Sequence, residues 1–277
     1  MTRPQTVLIT GCSTGIGRAL ALAFRKRGLL VVATARRIET LSALRDDGIE
    51  TAALDVNDRA SVDALRQQLQ ASNRRLDLLV NNAGYGLMGP LLDVDLDDVR
   101  QQFETNVIAV LALVQQLFPV LARPGARVVN LGSVSGLLVT PFSGAYCATK
   151  AAVHALSDAM RMELKPLGVD VITVLPGAIR SEFGATASRS AAVQQVAHSR
   201  YAPIADAVKA RANASQQHAT ETARFAADLV DAVLAAHPAA RLPLGSGSVA
   251  LPFLARWLPL RWRDAVLSRR FKLDRLR

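Results

Sequence analysis

Residues 6–24 read TVLITGCSTGIGRALALAF, a short apolar run, a loop holding three glycines, and a segment whose apolar positions Ile16, Leu20, Ala23 and Phe24 recur at helical spacing. The order is strand, glycine loop, helix. Gly11, Gly15 and Gly17 permit a tight turn and let backbone N–H groups approach an anion at the positive end of the helix. Three residues separate the first two glycines, so the spacing departs from the G-x-G-x-x-G dinucleotide fingerprint. Taken alone, the loop suits an ordinary strand-to-helix connection as well as a pyrophosphate cradle.

The same alternation continues outward along the chain. LLVVAT (29–34) is a second strand, TAALDV (51–56) a third and LDLLV (76–80) a fourth, with a helix over 59–70 and the turn NNAGYG after the fourth strand. A long helix over 97–121, the strand RVVNL (127–131), a helix from Tyr146 to Pro166, the strand VDVITVLPG (169–177), a helix over 220–236 and the strand-like RLPLG (241–245) complete the series. Strands alternating with helices imply βαβ units. The expected fold is therefore a single doubly wound α/β domain over residues 1–245, with a parallel sheet of about seven strands and helices on both faces.

The second strand runs into Ala35, Arg36 and Arg37. In dinucleotide folds an acidic residue near this point binds the ribose 2′-hydroxyl, whereas an arginine suits a 2′-phosphate through its bidentate fork. The alternative is a solvated arginine pair opening the next helix. Asn81, Asn82 and Gly84 fall at the carboxyl end of the fourth strand, where open α/β sheets hold ligands, although a plain turn has the same composition. Asn106 stands among apolar neighbours, where its amide needs partners, and is either a structural hydrogen-bonder or part of a site.

The chemistry is concentrated in VVNLGSVSGLLVTPFSGAYCATKAAVHAL (128–156). Tyr146 and Lys150 are spaced i, i+4, which stacks them on one helical face, and a nearby ammonium favours phenolate and draws the phenol pKa down from about 10. Ser133, at the end of the preceding strand, is positioned to hydrogen-bond the same reacting oxygen.

Composition bounds the alternatives. Half of the 277 residues are hydrophobic, enough for a sizeable core, and the two cysteines, Cys12 and Cys147, are too few for a disulfide framework. These features are expected of a soluble protein of the reducing cytoplasm. MTRPQ leads directly into the first strand without the apolar region of a signal peptide. VIAVLALV (107–114) is the best apolar run and falls short of the roughly 18 residues that span a bilayer. The net charge is +10, of which residues 241–277 supply +7 from nine Arg or Lys against two Asp. No nucleic-acid-reading motif accompanies the basic residues, so nucleic acid is not an expected partner. His154, His198, His218 and His237 are scattered without metal-ligand spacing, and no metal is expected.

Taken together, TGCSTGIG (10–17), NNAG (81–84), Asn106, Ser133 with Gly136, YCATK (146–150) and PG (176–177) resemble, in order and spacing, the short-chain dehydrogenases/reductases over residues 5–240. ATARR after the second strand and the basic tail resemble the branch with hydroxysteroid and retinol dehydrogenases and acyl-dihydroxyacetone-phosphate reductases. The resemblance implies NADP(H) as cofactor and Tyr146 as general acid in reduction and base in oxidation. Lys150 would bind the nicotinamide ribose and lower the Tyr146 pKa, Ser133 would orient the carbonyl, and Asn106 would hold a water linking Lys150 to solvent. Gly11, Ser13, Thr14, Gly15, Ile16 and Gly17 would carry the pyrophosphate, with Arg36 and Arg37 at the 2′-phosphate. Asp55 and Val56 would border the adenine, Asn82, Ala83 and Gly84 would support the adenosine ribose, and Pro176, Gly177, Ile179 and Ser181 would cover the nicotinamide. Family members commonly assemble as homodimers or homotetramers through helices corresponding to 97–121 and 146–166.

Residues 182–215, rich in Ala and Ser, stand where the family has a substrate lid, and their small apolar side chains suit a hydrophobic substrate. The extension over 246–277 holds Trp257 and Trp262 among Arg256, Arg261 and Arg263, a mixture suited to a membrane interface, while Pro252 and Pro259 prevent one continuous helix. A segment over the substrate cleft or against another subunit has the same character. The expected activity is hydride transfer between NADP(H) and a lipophilic ketone, aldehyde or secondary alcohol. The alternative is a catalytically silent NADP(H)-sensing regulator or scaffold of the same fold.

Overall fold

Strands buried on both faces are near-continuous apolar runs, and those runs set this sheet. The computed structural model describes residues 4–276; Met1–Arg3, the start of the segment read as lacking a leader, and Arg277, the last residue of the basic extension, lie outside them. The strands are Thr6–Ile9 (β1), Leu30–Ala35 (β2), Glu50–Ala53 (β3), Leu78–Asn81 (β4), Ala126–Leu131 (β5), Val169–Pro176 (β6) and Arg241–Leu244 (β7). They form one sheet in the order β3-β2-β1-β4-β5-β6-β7, and every neighbouring pair is parallel.

The helices are Gly15–Lys26 (α1), Ser42–Asp46 (α2), Arg59–Ala71 (α3), Leu96–Phe103 (α4), Ala109–Leu117 (α5), Gly144–Leu164 (α6), Phe183–Ser188 (α7), Ala191–Gln194 (α8), Ala205–Ala212 (α9), Thr222–Leu234 (α10), Ala250–Trp257 (α11) and Leu260–Arg270 (α12). Alternation along β1 divides the core between the two faces of the sheet. Val7 and Ile9 face α1 and α10, where Phe24 and Phe225 are buried, whereas Leu8 faces α3, α5 and α6 through Leu65, Leu113 and Met160. Burial of each such side chain contributes about 1.5–3 kcal/mol.

β2 and β3 lie on one side of β1 and β4 to β7 on the other, so the strand order reverses between β1 and β4. The carboxyl ends at that switch point open a crevice, and the glycine loop after β1 enters it. A third apolar cluster lies above these ends and joins Met88, Phe142, Val193, Val208 and Phe271 with Tyr146.

Several elements differ from their expected form. The stretch 97–121 is not one regular helix: a π-helical turn, Glu104–Ile108, separates α4 from α5. The extra residue in that turn accompanies the inward placement of Asn106, whose amide binds both backbone groups of Tyr85. By length and a hydropathy of 1.4, Leu96–Val120 is sufficient to cross a bilayer, but Val110, Leu113 and Leu117 pack against the sheet as core residues. β3 ends at Ala53, which leaves Asp55 and Val56 in the loop above the strand ends. The region 182–215 is folded as three short helices, α7 to α9. In the extension Pro259 separates α11 from α12, whereas Pro252 lies in the first turn of α11, where no N–H is required.

Candidate active site

The glycine loop is built to receive an anion. α1 begins at Gly15 without a side-chain cap from Thr14 and without an acid in its first turn, so its leading N–H groups lack the partner that a capping residue supplies. Gly11 and Gly15 adopt φ of +72° and +55°, where a side chain is strained. At Gly17 an added Cβ would collide with the Gly11 carbonyl oxygen and stand 2.5 Å from Nδ2 of Asn82. That crowding reflects how NNAG locks the loop. Asn82 donates to the carbonyls of Thr10 and Gly11 at 2.8 and 3.1 Å, and the Thr10 hydroxyl accepts from the N–H of Asn82 and of Ala83 at 3.0 Å each. A loop with positive-φ glycines, exposed N–H groups and no room for side chains fits a pyrophosphate.

The neighbouring Asn81 is buried and donates to Asn130 Oδ1 at 2.8 Å, beneath the crevice rather than in it. Its position at the strand end is correct, but the pleat turns it inward.

One cavity of about 880 Å³ runs along the carboxyl ends of the strands. Its wall takes in Gly11, Ser13, Thr14, Gly15, Ile16 and Gly17, and beyond them Arg36, Asp55 and Val56. Asn82, Ala83 and Gly84 follow, then Ser133, Tyr146 and Lys150, and Pro176, Gly177, Ile179 and Ser181 complete the wall, with Ser181 next to Gly15. Two expected residues do not line this cavity. Arg37 is exposed and starts the next helical turn, its carbonyl accepting from Thr40 Oγ1 at 2.6 Å. Asn106 is only 1% exposed and uses its amide internally, accepting from the Tyr85 N–H at 3.1 Å and donating to the Tyr85 carbonyl at 2.9 Å and to Thr149 Oγ1 at 3.2 Å. Its structural reading is the one the hydrogen bonds support.

Two of the expected site residues stand on α6. Tyr146 and Lys150 share one face, with the Lys150 ammonium 5.8 Å from the centroid of the Tyr146 ring. Lys150 Nζ donates to the Leu131 carbonyl at 2.7 Å, which anchors it at the end of β5. Burial pulls the ammonium down from 10.5 to about 8. Burial likewise pushes the Tyr146 phenol up to about 12, with hydrogen bonding from Ser133 and the charge of Arg211 acting in the opposite direction. Removal from water penalises both charged forms and sets the direction of both shifts.

Sequence reasoning missed His154, although it continues the i, i+4 series from Tyr146 and Lys150. Its Nε2 accepts the Ser133 N–H at 3.2 Å, and Gly132 and Gly136 leave no room for a Cβ against its ring. Burial, then the charges of Lys150 and Arg241, hold the imidazole down at about 4 against the opposing influence of Asp158, so it is neutral and an acceptor at ordinary pH. Also missed were Met88, Leu138 and Phe183, and residues far along the chain, Arg211, Leu267 and Phe271, which close one end of the cavity. The ring of Phe183 lies 5.1 Å from that of Tyr146. No local pattern marks these positions: Phe183 and Arg211 reach the cavity from the segment over 182–215, and Leu267 and Phe271 from the extension. Cys147, adjacent to Tyr146, is buried and packs with Sγ 3.4 Å from Ser143 Oγ, as a small structural thiol.

The family model for short chain dehydrogenases matches residues 5–192. A short-chain dehydrogenase of Penicillium ochrochloron is 43% identical over 180 residues, covering 64% of this chain and 66% of its own length, so the chain spans about two thirds of that relative. The NADPH-dependent 1-acyldihydroxyacetone phosphate reductase of Schizosaccharomyces pombe is 38% identical over 66% of this chain and 62% of its own length. A probable short-chain type dehydrogenase/reductase of Helicobacter pylori is 32% identical over 94% of this chain and 95% of its own. Among solved structures, a short-chain dehydrogenase from Streptomyces avermitilis superposes with a TM-score of 0.75 at 30% identity, over 99% of this chain and 98% of its own. With the seven-stranded sheet, the locked glycine loop and the Ser133, Tyr146 and Lys150 cluster at one crevice, these matches establish that the chain belongs to the short-chain dehydrogenase/reductase family of oxidoreductases.

Proposed function

We propose that this protein is an NADP(H)-dependent oxidoreductase that transfers hydride between nicotinamide and a lipophilic ketone, aldehyde or secondary alcohol, with Tyr146 as general acid and base. The observation that carries the reading is the meeting of Ser133, Tyr146 and Lys150 on the wall of the cavity that also holds the glycine loop. Bound nicotinamide would supply the hydride or accept it, at a site whose pyrophosphate end is the loop from Gly11 to Gly17.

The chain's own residues do the rest. A phenol held near pKa 12 stays protonated at neutral pH, which suits a proton donor to the alkoxide that forms as a carbonyl is reduced. Ser133, its backbone N–H held by His154, is free to donate its hydroxyl proton to the same oxygen, and that hydrogen bond strengthens as negative charge develops. Lys150, fixed by the Leu131 carbonyl, keeps a positive group on the face behind the phenol. The apolar side chains of Met88, Leu138, Phe183 and Phe271 exclude water and favour a lipophilic body for the substrate.

Arg36 supports NADP(H) over NAD(H): it lines the cavity just beyond the end of β2, where an acidic residue would serve a ribose hydroxyl. The serine dehydrogenase structure with TM-score 0.75 holds NADP⁺, whereas a short-chain dehydrogenase/reductase from Burkholderia phymatum with TM-score 0.74 holds NAD. We further assign the protein to the cytoplasm as a homodimer or homotetramer through α4, α5 and α6, where the exposed Ile108 and Met162 are available for a second copy. Peripheral membrane contact through α11 and α12 is supported by Phe253, Trp257 and Trp262, each more than 60% exposed beside Arg256 and Arg261.

The test is Tyr146→Phe. NADPH oxidation with a panel of ketones and aldehydes, followed at about 340 nm, should fall by a factor of at least about 10² while NADPH binding by calorimetry stays nearly intact. Full activity in the variant refutes the assignment of Tyr146. Silence of the wild-type protein on the whole panel, with tight NADPH binding, favours the sensing regulator instead.

A further inference from the structure

Arg211 is the group at this site with no assigned task. It projects from α9 onto the loop and helix that carry the reacting residues, with Nε donating to Thr140 Oγ1 at 2.8 Å and Nη2 to Ser143 Oγ at 3.1 Å. Ser143 immediately precedes α6, three residues before Tyr146. A guanidinium has five N–H donors, and among the described residues these two bonds leave three without a partner. Among the described residues Arg211 also takes part in no ion pair. Burial lowers its pKa, and it lies within electrostatic reach of Tyr146 on one side and of Arg270 on the other.

Arg270 ends α12 and lines the same cavity, again without an ion pair among the described residues. Arg270 is solvent-exposed, whereas the Arg211 guanidinium is largely withdrawn from water with no counter-ion among the described residues, which costs stability unless an anion binds it. The like charge of Arg270 adds to that cost. The cavity does contain carboxylates, Asp55 beyond the glycine loop and Glu182 beside Ser181, but neither is within ion-pair distance of either arginine. Apolar side chains line the same cavity, among them Met88, Leu138, Phe183, Leu267 and Phe271.

We propose that Arg211 and Arg270 form an anion subsite of the substrate cleft, so that the compound reacting at Tyr146 carries a carboxylate or phosphate close to its carbonyl, on an otherwise apolar body. The inference rests on the oxidoreductase reading and narrows its substrate class to anionic amphiphiles. A planar fork with free donors matches either anion bidentately. The bonds from Arg211 to Thr140 and Ser143 orient the guanidinium before the substrate arrives, and Arg270 supplies the second charge.

Two measurements on the full chain test the subsite. In the first, kcat/KM with NADPH is compared for 4-oxodecanoate, its methyl ester and a 2-oxoalkyl phosphate of similar length. The expected result is a preference for one or both anions over the ester of at least about tenfold, the scale of one charged hydrogen bond. Arg211→Gln and Arg270→Gln should each lower the anion value at least about tenfold more than the ester value, and Arg211→Lys should retain part of the preference. The arm that shows the larger preference identifies carboxylate or phosphate as the head group. No preference in the wild type, or equal losses for acid and ester in both glutamine variants, overturns the proposal and leaves Arg211 as a brace for the loop over 132–143.

In the second measurement, decanoate, decyl phosphate and decanol are titrated calorimetrically into the NADP⁺-loaded protein. These ligands have no carbonyl, so the readout is independent of turnover. Tighter binding of the anions, lost in Arg211→Gln and kept in Tyr146→Phe, supports the subsite even where no carbonyl is reduced, in which case the oxidoreductase reading fails alone. Equal binding of decanol and the anions overturns the subsite while leaving the chemistry at Tyr146 standing.

Discussion

The imidazole behind the serine gives the protein an acid-sensitive joint whose size follows from its surroundings. His154 is buried, its Nε2 accepts the Ser133 N–H at 3.2 Å, and the charged groups that face it are Lys150, Arg241 and Asp158. Its folded pKa of about 4 lies below the ordinary value of 6.5, so the unfolded chain binds a proton more readily than the folded one. The associated stability is complete above 6.5 and is lost as pH falls toward 4. Linkage between those two values amounts to about 2 kcal/mol at about pH 5 and about 3 kcal/mol at about pH 4. His154→Gln offers an amide oxygen as acceptor for the same N–H and does not titrate. Thermal unfolding at about pH 7.5 and about pH 5 should show the wild-type Tm falling further than that of the variant by roughly 4–8 °C, at about 2–4 °C per kcal/mol. Equal falls in the two proteins would refute the account, since the acid sensitivity would then reside elsewhere. Because the bond lost is the one that holds Ser133, activity at about pH 5 should decline before the fold does.

Three other perturbations address the cofactor and the extension. Arg36→Ala should raise the NADPH dissociation constant by about 10- to 100-fold, the worth of a guanidinium–phosphate contact, and that of NADH by less than about threefold; equal changes would remove Arg36 from the 2′-phosphate. Gly17→Ala forces a Cβ against the Gly11 carbonyl and Asn82, so denaturant unfolding should show a loss of about 1–3 kcal/mol together with weaker NADPH binding, and a variant equal to wild type in both would contradict the crowded loop. Trp257→Ala with Trp262→Ala should reduce cosedimentation with phosphatidylserine-containing vesicles about tenfold or more, since partial burial of an indole contributes on the order of 1–2 kcal/mol. Wild-type protein that stays in the supernatant would end the membrane assignment.

The sheet was readable because its cause is local. Runs such as VLI and LVVA can be buried on both faces only inside a parallel sheet, and the glycines at 11, 15 and 17 mark the first crossover without knowledge of anything distant. The pair Tyr146 and Lys150 was readable for the same reason, since helical spacing alone puts them on one face. Charge state was not. The i, i+4 ammonium argues for an acidic phenol, but burial is a property of everything packed above α6, and it pushes the phenol up. Arg36 and Arg37 are adjacent and chemically identical, yet only the first lines the cavity, because the second already belongs to the following helical turn. Arg211, Arg270 and Phe271 had no local signal at all: they line the cavity with Tyr146 only once the segment over 182–215 and the extension have folded back.

That return of the chain has a consequence for inheritance. The family model ends at residue 192, and the glycine loop, Ser133, Tyr146, Lys150 and Ser181 all lie within it. Phe271, whose ring meets Phe142 edge-on at 6.1 Å, together with Arg211 and Leu267, lies beyond that limit and closes the other end of the same chamber. On the proposed reading the residues that would carry the reaction lie in the first stretch, whereas the substrate end draws on both, Met88, Leu138 and Phe183 from the first and Arg211, Leu267 and Phe271 from the second. Kinship over residues 5–192 therefore carries no information on the wall that the second stretch builds.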